Sequence, residues 1–505
     1  MNLGHARARL VEAGAVFAAV ALVAGCGSQY RPVVTPINPS GPAAQPSSFA
    51  VVVSAPSTTT AGLATIIDYS GDTVMAQAPI GPGPTTFTVD QSGSTGYTVN
   101  SDGTLSNFPV SSSLQAKQVS YTTLATTSQP VGLFSPGSGL WAADLNGNVA
   151  DVMTGNPAAF KLAIPVAPTP VAIVGPGQSA LRNYVISQNN STTPAGSVIP
   201  YGVACNTSPS TVTQNGEADA LETSSYTVSA QIPLGKCPVF AVPSSDQKRF
   251  FVLNRGSDTV TVINSQNNTL NSCTPFLSQT GRTVTCHPSL PLSTAAGLAG
   301  TNVPAVAGPV YAEYNSATNQ LVVANYDGGT ISVIDVSLDE YGNDSATFGT
   351  TFTIPVGKNP ASVTVLYDGS RAYTANQNDS TVTVVDLTSH TVEKTLSVVG
   401  HPRTVVSTQN SSYGKVYVAS PDSPYLTVIQ TGGASPDIVD TVLLVPGGGN
   451  IVDVRVSTQN AVSGNSNNIS RNPGAGQPCY LPPSLEPAPT GTQTALQVCQ
   501  TLPLP

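Results

Sequence analysis

Charge is scarce in this chain. Only 9% of its 505 residues are Asp, Glu, Lys or Arg, against roughly 25% in an ordinary soluble domain. The net charge of −9 includes no basic stripe. That excludes nucleic acid as a partner, because phosphates must be neutralised by Lys and Arg. Histidine is rarer still, and His287, His390 and His401 fall in different units and connections, so no three-histidine metal site is expected. No G-x-S-x-G elbow, GxxxxGK[ST] loop or H-E-x-x-H pair occurs, which removes the commonest hydrolase, nucleotide and zinc-protease signatures. No C-x-x-C pair supports zinc or thioredoxin-like chemistry. Asp144-Leu145-Asn146-Gly147-Asn148 begins like a calcium loop but lacks the distal acidic ligand, so it reads as a hairpin turn. No cofactor is implied. Long stretches of 3.6-residue period are also missing, which leaves helical bundles and α/β folds without support.

Neutral polar residues, Gly and Pro fill the gap. Hydrophobic residues still make up 40%, enough for a sizeable core. At the amino terminus, Arg7 and Arg9 precede the uncharged run AGAVFAAVALVA at 13–24. Twelve apolar residues are too few to cross about 30 Å of hydrocarbon, so the segment reads as an export signal. It ends in LVAGC, which resembles the bacterial lipobox. The resemblance implies cleavage after Gly25 and a diacylglycerol on Cys26. Residues 26–48 are Pro- and Ser-rich, as expected of a solvated tether. No later run reaches eighteen apolar residues, so the lipid is the expected membrane contact. Six further cysteines, Cys205, Cys237, Cys273, Cys286, Cys479 and Cys499, suit an oxidising compartment. Pairing in chain order is the default.

Internal repetition gives the architecture. In residues 358–400, β-rich runs at 361–366, 371–375, 381–386 and 391–398 are separated by turn residues. Related units are anchored at Pro84, Pro130, Pro170, Pro238, Pro309, Pro360 and Pro402, with spacings of 46, 40, 68, 71, 51 and 42 residues. A basal period near 42 with four strands per unit predicts an all-β fold, a β-propeller of four-stranded blades. Each sheet must be covered on both faces by its neighbours, which explains runs such as VTVVD and ISVID that do not alternate. Asp68, Asn264, Asp335 and Asp386 close strands where Asx side chains can bond the next turn.

The units Tyr367-Asp368-Gly369, Tyr373-Thr374-Ala375-Asn376, Val384-Val385-Asp386 and Ile354-Pro355-Val356-Gly357 resemble the YVTN β-propeller family, most strongly over 238–448. That resemblance implies seven or eight blades and a lactonase-like propeller; it specifies fold rather than activity. Residues 449–460 copy a first strand and stop, while FAVVVS, ATIIDY and DTVMAQAPIG near the amino terminus supply a second, third and fourth. The ring is therefore expected to span 49–460 and close through both termini. Residues 461–505 follow as a Pro-, Gly- and Asn-rich tail.

Insertions at 204–224 and 337–350 are expected between third and fourth strands, and one at 276–308 after a fourth strand. On that reading Cys205 and Cys237 sit at opposite ends of a blade, which makes Cys237–Cys286 an alternative pairing. The face with the fourth-to-first junctions collects Asn254, Arg255, Glu313, Asn325, Asp327, Lys358, His401 and Arg403 as candidate ligand residues. The leading functional expectation is a binding or scaffold lipoprotein for a protein, glycan or small ligand. A lactonase-type hydrolase is the rival, with Glu313 or His401 as base and Arg255 or Arg403 at the developing charge. A structural surface protein is the third.

Overall fold

The computed structural model describes residues 48–136, 139–175, 182–189, 205, 209–278, 281–408, 414–447 and 449–457. Cys26, the expected tether, Cys479, Cys499 and the expected tail lie outside them.

Eight antiparallel sheets, each with a path of four strands, follow one another along the chain. Blade 1 is composite. Its strands Phe49–Ala55, Ala61–Asp68 and Thr73–Pro82 are completed by Asn450–Val456, the last described strand. That strand pairs with Phe49–Ala55 from Ala50↔Val456 to Ala55↔Asn450. Blades 2 to 8 then span residues 84–123, 130–165, 170–236, 238–291, 309–355, 360–397 and 404–444. The chain is an eight-bladed β-propeller, closed as the terminal sequences imply.

Six of the anchor prolines, Pro84, Pro130, Pro170, Pro238, Pro309 and Pro360, are the first residue of a first strand. Proline is tolerated there because the strand's opening position needs no ladder N–H. The expected Asx closures also form: Asp335 Oδ1 accepts Ser337 N at 2.8 Å, and Asp386 Oδ1 accepts Thr388 N at 2.8 Å. The core lies between blades. Residues of third strands such as Val382, Val384 and Val385 are wholly buried although they do not alternate, because both faces of each sheet meet a neighbour.

Two insertions sit elsewhere than expected. The third strand of blade 4 is Asn215–Glu222 and its fourth is Thr227–Lys236. The insertion containing Cys205 therefore joins the second and third strands, on the same face as the fourth-to-first junctions. Cys205 and Cys237 share that face and are bonded, with Cα atoms 5.4 Å apart. Within the expected insertion, Asn215–Glu222 is a strand whose Glu217 and Asp219 stand where its sister strands carry hydroxyls. Cys273–Cys286 forms the second disulfide, which excludes Cys237–Cys286. Its loop does not follow the fourth strand of blade 5 but interrupts it. Thr269–Leu270 and Ser289–Pro291 both pair with the third strand Thr259–Asn264. The excursion is held by buried Asp344 of the 337–350 insertion, which accepts Asn271 Nδ2 at 2.8 Å, His287 N at 3.0 Å and Arg249 Nη2 at 3.4 Å.

Candidate functional site

The asparagine that ends the second strand is the repeating element of the fourth-to-first face. Asn100 donates through Nδ2 to Thr104 Oγ1 at 3.0 Å and Ser106 Oγ at 2.8 Å. Asn254 does the same to Thr259 and Thr261, Asn325 to Thr330 and Ser332, and Asn376 to Thr381 and Thr383. The acceptors lie five and seven residues on, or four and six for Asn100, so each asparagine ties the second strand to the third. The preceding blade makes room. A Cβ on Gly235 would lie 2.7 Å from Asn254 Cγ, and one on Gly357 would lie 2.6 Å from Asn376 Cγ. The glycine of the I-P-V-G pattern and the asparagine of the Y-T-A-N pattern are thus two halves of one interblade latch. Asn254 and Asn325, expected as ligand residues, belong to it.

The charged candidates are engaged in neighbouring seams. Arg255, 4% exposed, binds Asp327 of the next blade through Nη2–Oδ1 at 2.8 Å and Nε–Oδ2 at 3.0 Å. It also donates to Cys205 O at 3.2 Å. Lys358 is exposed, and its backbone N donates to Asp379 Oδ2 at 2.6 Å. His401 repeats that contact with Asp422, through N at 2.8 Å and Nδ1 at 2.6 Å. Arg403 is buried and donates to Val452 O at 3.2 Å. Glu313 is buried on the first strand of blade 6. Of the candidates, the fold brings Arg255 and Asp327 together. His401 and Arg403 belong to the junction of blades 7 and 8 and to the closure seam, respectively.

Blades 1, 3, 4 and 8 lack the asparagine, and in blades 3 and 4 the latch positions carry acid. In blade 3 the asparagine is replaced by Asp144 and the hydroxyl seven residues on by Asp151. Asp144 Oδ1 accepts three backbone N–H groups, from Gln129 at 2.9 Å and from Asn146 and Gly147 at 3.1 Å. Burial, followed by the charge of Asp144, pushes the Asp151 carboxyl up to about 7.

In blade 4 the asparagine position is Ser187, and the two hydroxyl positions are Glu217 and Asp219, as the pairings Ser187↔Glu217 and Val185↔Asp219 show. The partner glycine is Ala167. Asp219 is fully buried and accepts Ala167 N through Oδ2 at 2.7 Å. Its Oδ1 and the Ser187 hydroxyl have no hydrogen-bond partner among the described residues. A groove of about 830 Å³ runs along this seam, lined by Pro165, Val166, Ala167, Pro168, Glu217 and Gln231, among others, but not by Asp219 or Ser187. Gln231 Nε2 donates to Glu217 Oε1 at 2.9 Å. Burial raises both carboxyls above the usual range; Asp219 adds to the effect on Glu217, while the hydrogen bond from Ala167 N opposes it on Asp219. The signal was in the sequence, as a repeat position occupied by acid where its sisters hold Ser or Thr.

No family model matches the chain, and no curated protein does. Solved structures are similar in fold. Apo AztD from Citrobacter koseri superposes with a TM-score of 0.52 at 12% identity, over 81% of this chain and 97% of that one. The dihydro-heme d1 dehydrogenase NirN, in complex with DHE, gives 0.52 at 14% identity, over 81% and 77%. A putative 6-phosphogluconolactonase from Bacteroides fragilis gives 0.46 at 15%. At these identities the likeness concerns the propeller alone.

Proposed function

We propose that this protein is an extracytoplasmic binding lipoprotein, anchored through Cys26, whose propeller presents a ligand site rather than a catalytic one. The observation that carries this reading is the groove between blades 3 and 4, walled in part by Glu217, where the latch positions carry acid. Two disulfides suit an oxidising compartment, and no described helix is long and apolar enough to cross a membrane. The hydrolase reading draws less support. Arg255 is held in a bidentate pair and His401 against Asp422, so neither stands ready at a shared point.

Two measurements test the proposal. Cys26→Ala should move the protein from the membrane fraction to the soluble fraction and abolish labelled fatty-acid incorporation. The purified wild type should hydrolyse γ- and δ-lactones no faster than buffer. Unchanged membrane association of Cys26→Ala would overturn the anchor. A lactone turnover lost in His401→Gln, with folding intact, would replace the binding module with a hydrolase.

A further inference from the structure

The excursion from blade 5 holds apolar side chains in water on a fixed support. We infer that its hairpin is a second membrane contact, through which Phe276 and Leu277 enter the surface of the bilayer that holds the lipid anchor. This rests on the anchored reading proposed above and adds a contact to it.

Leu277 is 71% exposed, more than any other large apolar side chain among the described residues, and its neighbour Phe276 is 42% exposed. Single exposed apolar residues are ordinary, but an adjacent pair on a rigid projection marks a contact. The support is rigid. Phe276 pairs with Val284 and Leu277 with Thr283, and the Cys273–Cys286 disulfide closes the hairpin. Arg282 Nη2 ties it to the 337–350 insertion, donating to Asp339 Oδ2 at 2.9 Å and to Asp344 O at 2.7 Å. Val284 is the residue that the hairpin buries, so Phe276 and Leu277 are not its core. Little ordering remains to oppose binding.

The hairpin is fastened to the face that receives the tether. Antiparallel strands put the first-to-second and third-to-fourth turns of a blade on one face. The 337–350 insertion joins the third strand of blade 6, ending at Asp335, to the fourth, starting at Thr351. Phe49, where the strands begin, pairs with Asp68 at the end of the third strand of blade 1. Both therefore lie on that face. Exposed Tyr341, in the same insertion, and exposed Tyr367, in the first-to-second turn of blade 7, share it. Tyrosine is favoured at the boundary between membrane and water.

The chain outside this body selects the bilayer as occupant. With a lipid on Cys26, residues 26–48 keep Phe49 within about 80 Å of the membrane even at full extension. The hairpin then meets a high effective concentration of bilayer, so two side chains suffice where they would be weak alone. Residues 274–278 carry no charge. Around them Lys248 and Arg282 are outnumbered by Asp246, Asp339 and Glu340, so anionic headgroups should add nothing to the attraction.

The test uses residues 27–505 with hexahistidine in place of Cys26, held on phosphatidylcholine vesicles that contain a nickel-chelating lipid. Leu277→Trp reports on the hairpin, and Tyr425→Trp on the opposite face; the only native tryptophan, Trp141, is buried and gives the background. Emission of Leu277→Trp should shift to the blue and be quenched by brominated phosphatidylcholine, while Tyr425→Trp stays unquenched. As a second arm, flotation measures vesicle partition of the same chain without the histidines. Phe276→Ser with Leu277→Ser should weaken it at least about tenfold, and phosphatidylglycerol should not strengthen it. Unquenched Leu277→Trp, equal quenching at both positions, or unchanged partition of the double variant would overturn the inference. A blue shift that grows with protein concentration without vesicles would also overturn it, since a second copy would then cover the hairpin. The histidines hold the chain to vesicles whether or not Cys26 is lipidated in the cell, so this inference and the anchor fail separately.

Discussion

At the scale of single residues, the latch sets what each side chain must do. Asn376 satisfies two hydroxyls at once, and Gly357 yields the space it occupies. Gly357→Ala forces a Cβ against that amide and should cost about 1–3 kcal/mol, read as a lowered urea midpoint. Ala167→Gly, in the seam where no asparagine stands opposite, should change it far less. Asp151 gives a pH signature. Its folded-state pKa, pushed up to about 7, lies above the roughly 3.9 of an unfolded aspartate. The folded protein therefore binds the extra proton between these values. Stability is full below about pH 4 for this group and falls as pH rises towards 7, by up to about 4 kcal/mol. Asp151→Asn should remove that slope and raise Tm at pH 8, with little gain at pH 4. An unchanged pH dependence by calorimetry would show that Asp151 takes up no proton on folding.

At the scale of elements, insertions are secured by bonds that the repeat does not supply. Cys205–Cys237 closes a separation of 32 residues and Cys273–Cys286 one of 13. In the chain-entropy model these restrict the unfolded chain by about 4 and about 3 kcal/mol respectively. Replacing Cys205 and Cys237 together by Ser should lower the denaturation midpoint more than the same change at Cys273 and Cys286. Arg255 should be sensitive too, because its guanidinium spans Asp327 and the carbonyl of Cys205. Arg255→Ala leaves a partly buried carboxylate unpaired and should destabilise by about 3 kcal/mol. That loss would appear in unfolding curves whether or not any ligand binds.

At the scale of the whole molecule, stability depends on closing the ring. Without Asn450–Val456 the strand Phe49–Ala55 loses its inner partner, and apolar residues such as Val52 and Val454, buried together with blade 8 residues, face water. A chain ending at residue 448 should aggregate or melt far lower, because an open edge and an apolar seam are exposed together. A chain ending at residue 460 keeps every described strand and should retain most of its thermal stability. Equal melting of the two truncations would contradict closure through the termini.

The sequence by itself determined the blade. Prolines at the head of first strands, turn residues at regular intervals and non-alternating apolar runs are local signals, and local sterics act on them directly. Ring closure was legible for the same reason, since a lone first strand at one end complements three strands at the other. Tertiary structure decided the rest. Asn254 and Asn325 look like ligand residues until the glycine of the preceding blade is seen against such an asparagine. Arg255 looks free until Asp327, 72 residues away, is found to hold it. In blade 4, Glu217 and Asp219 disguise a third strand, and Asp219 meets Ala167 only through packing. Strand patterns arise within a few residues of chain, whereas the pairing of charges is settled between blades, by groups that sequence spacing does not put in contact.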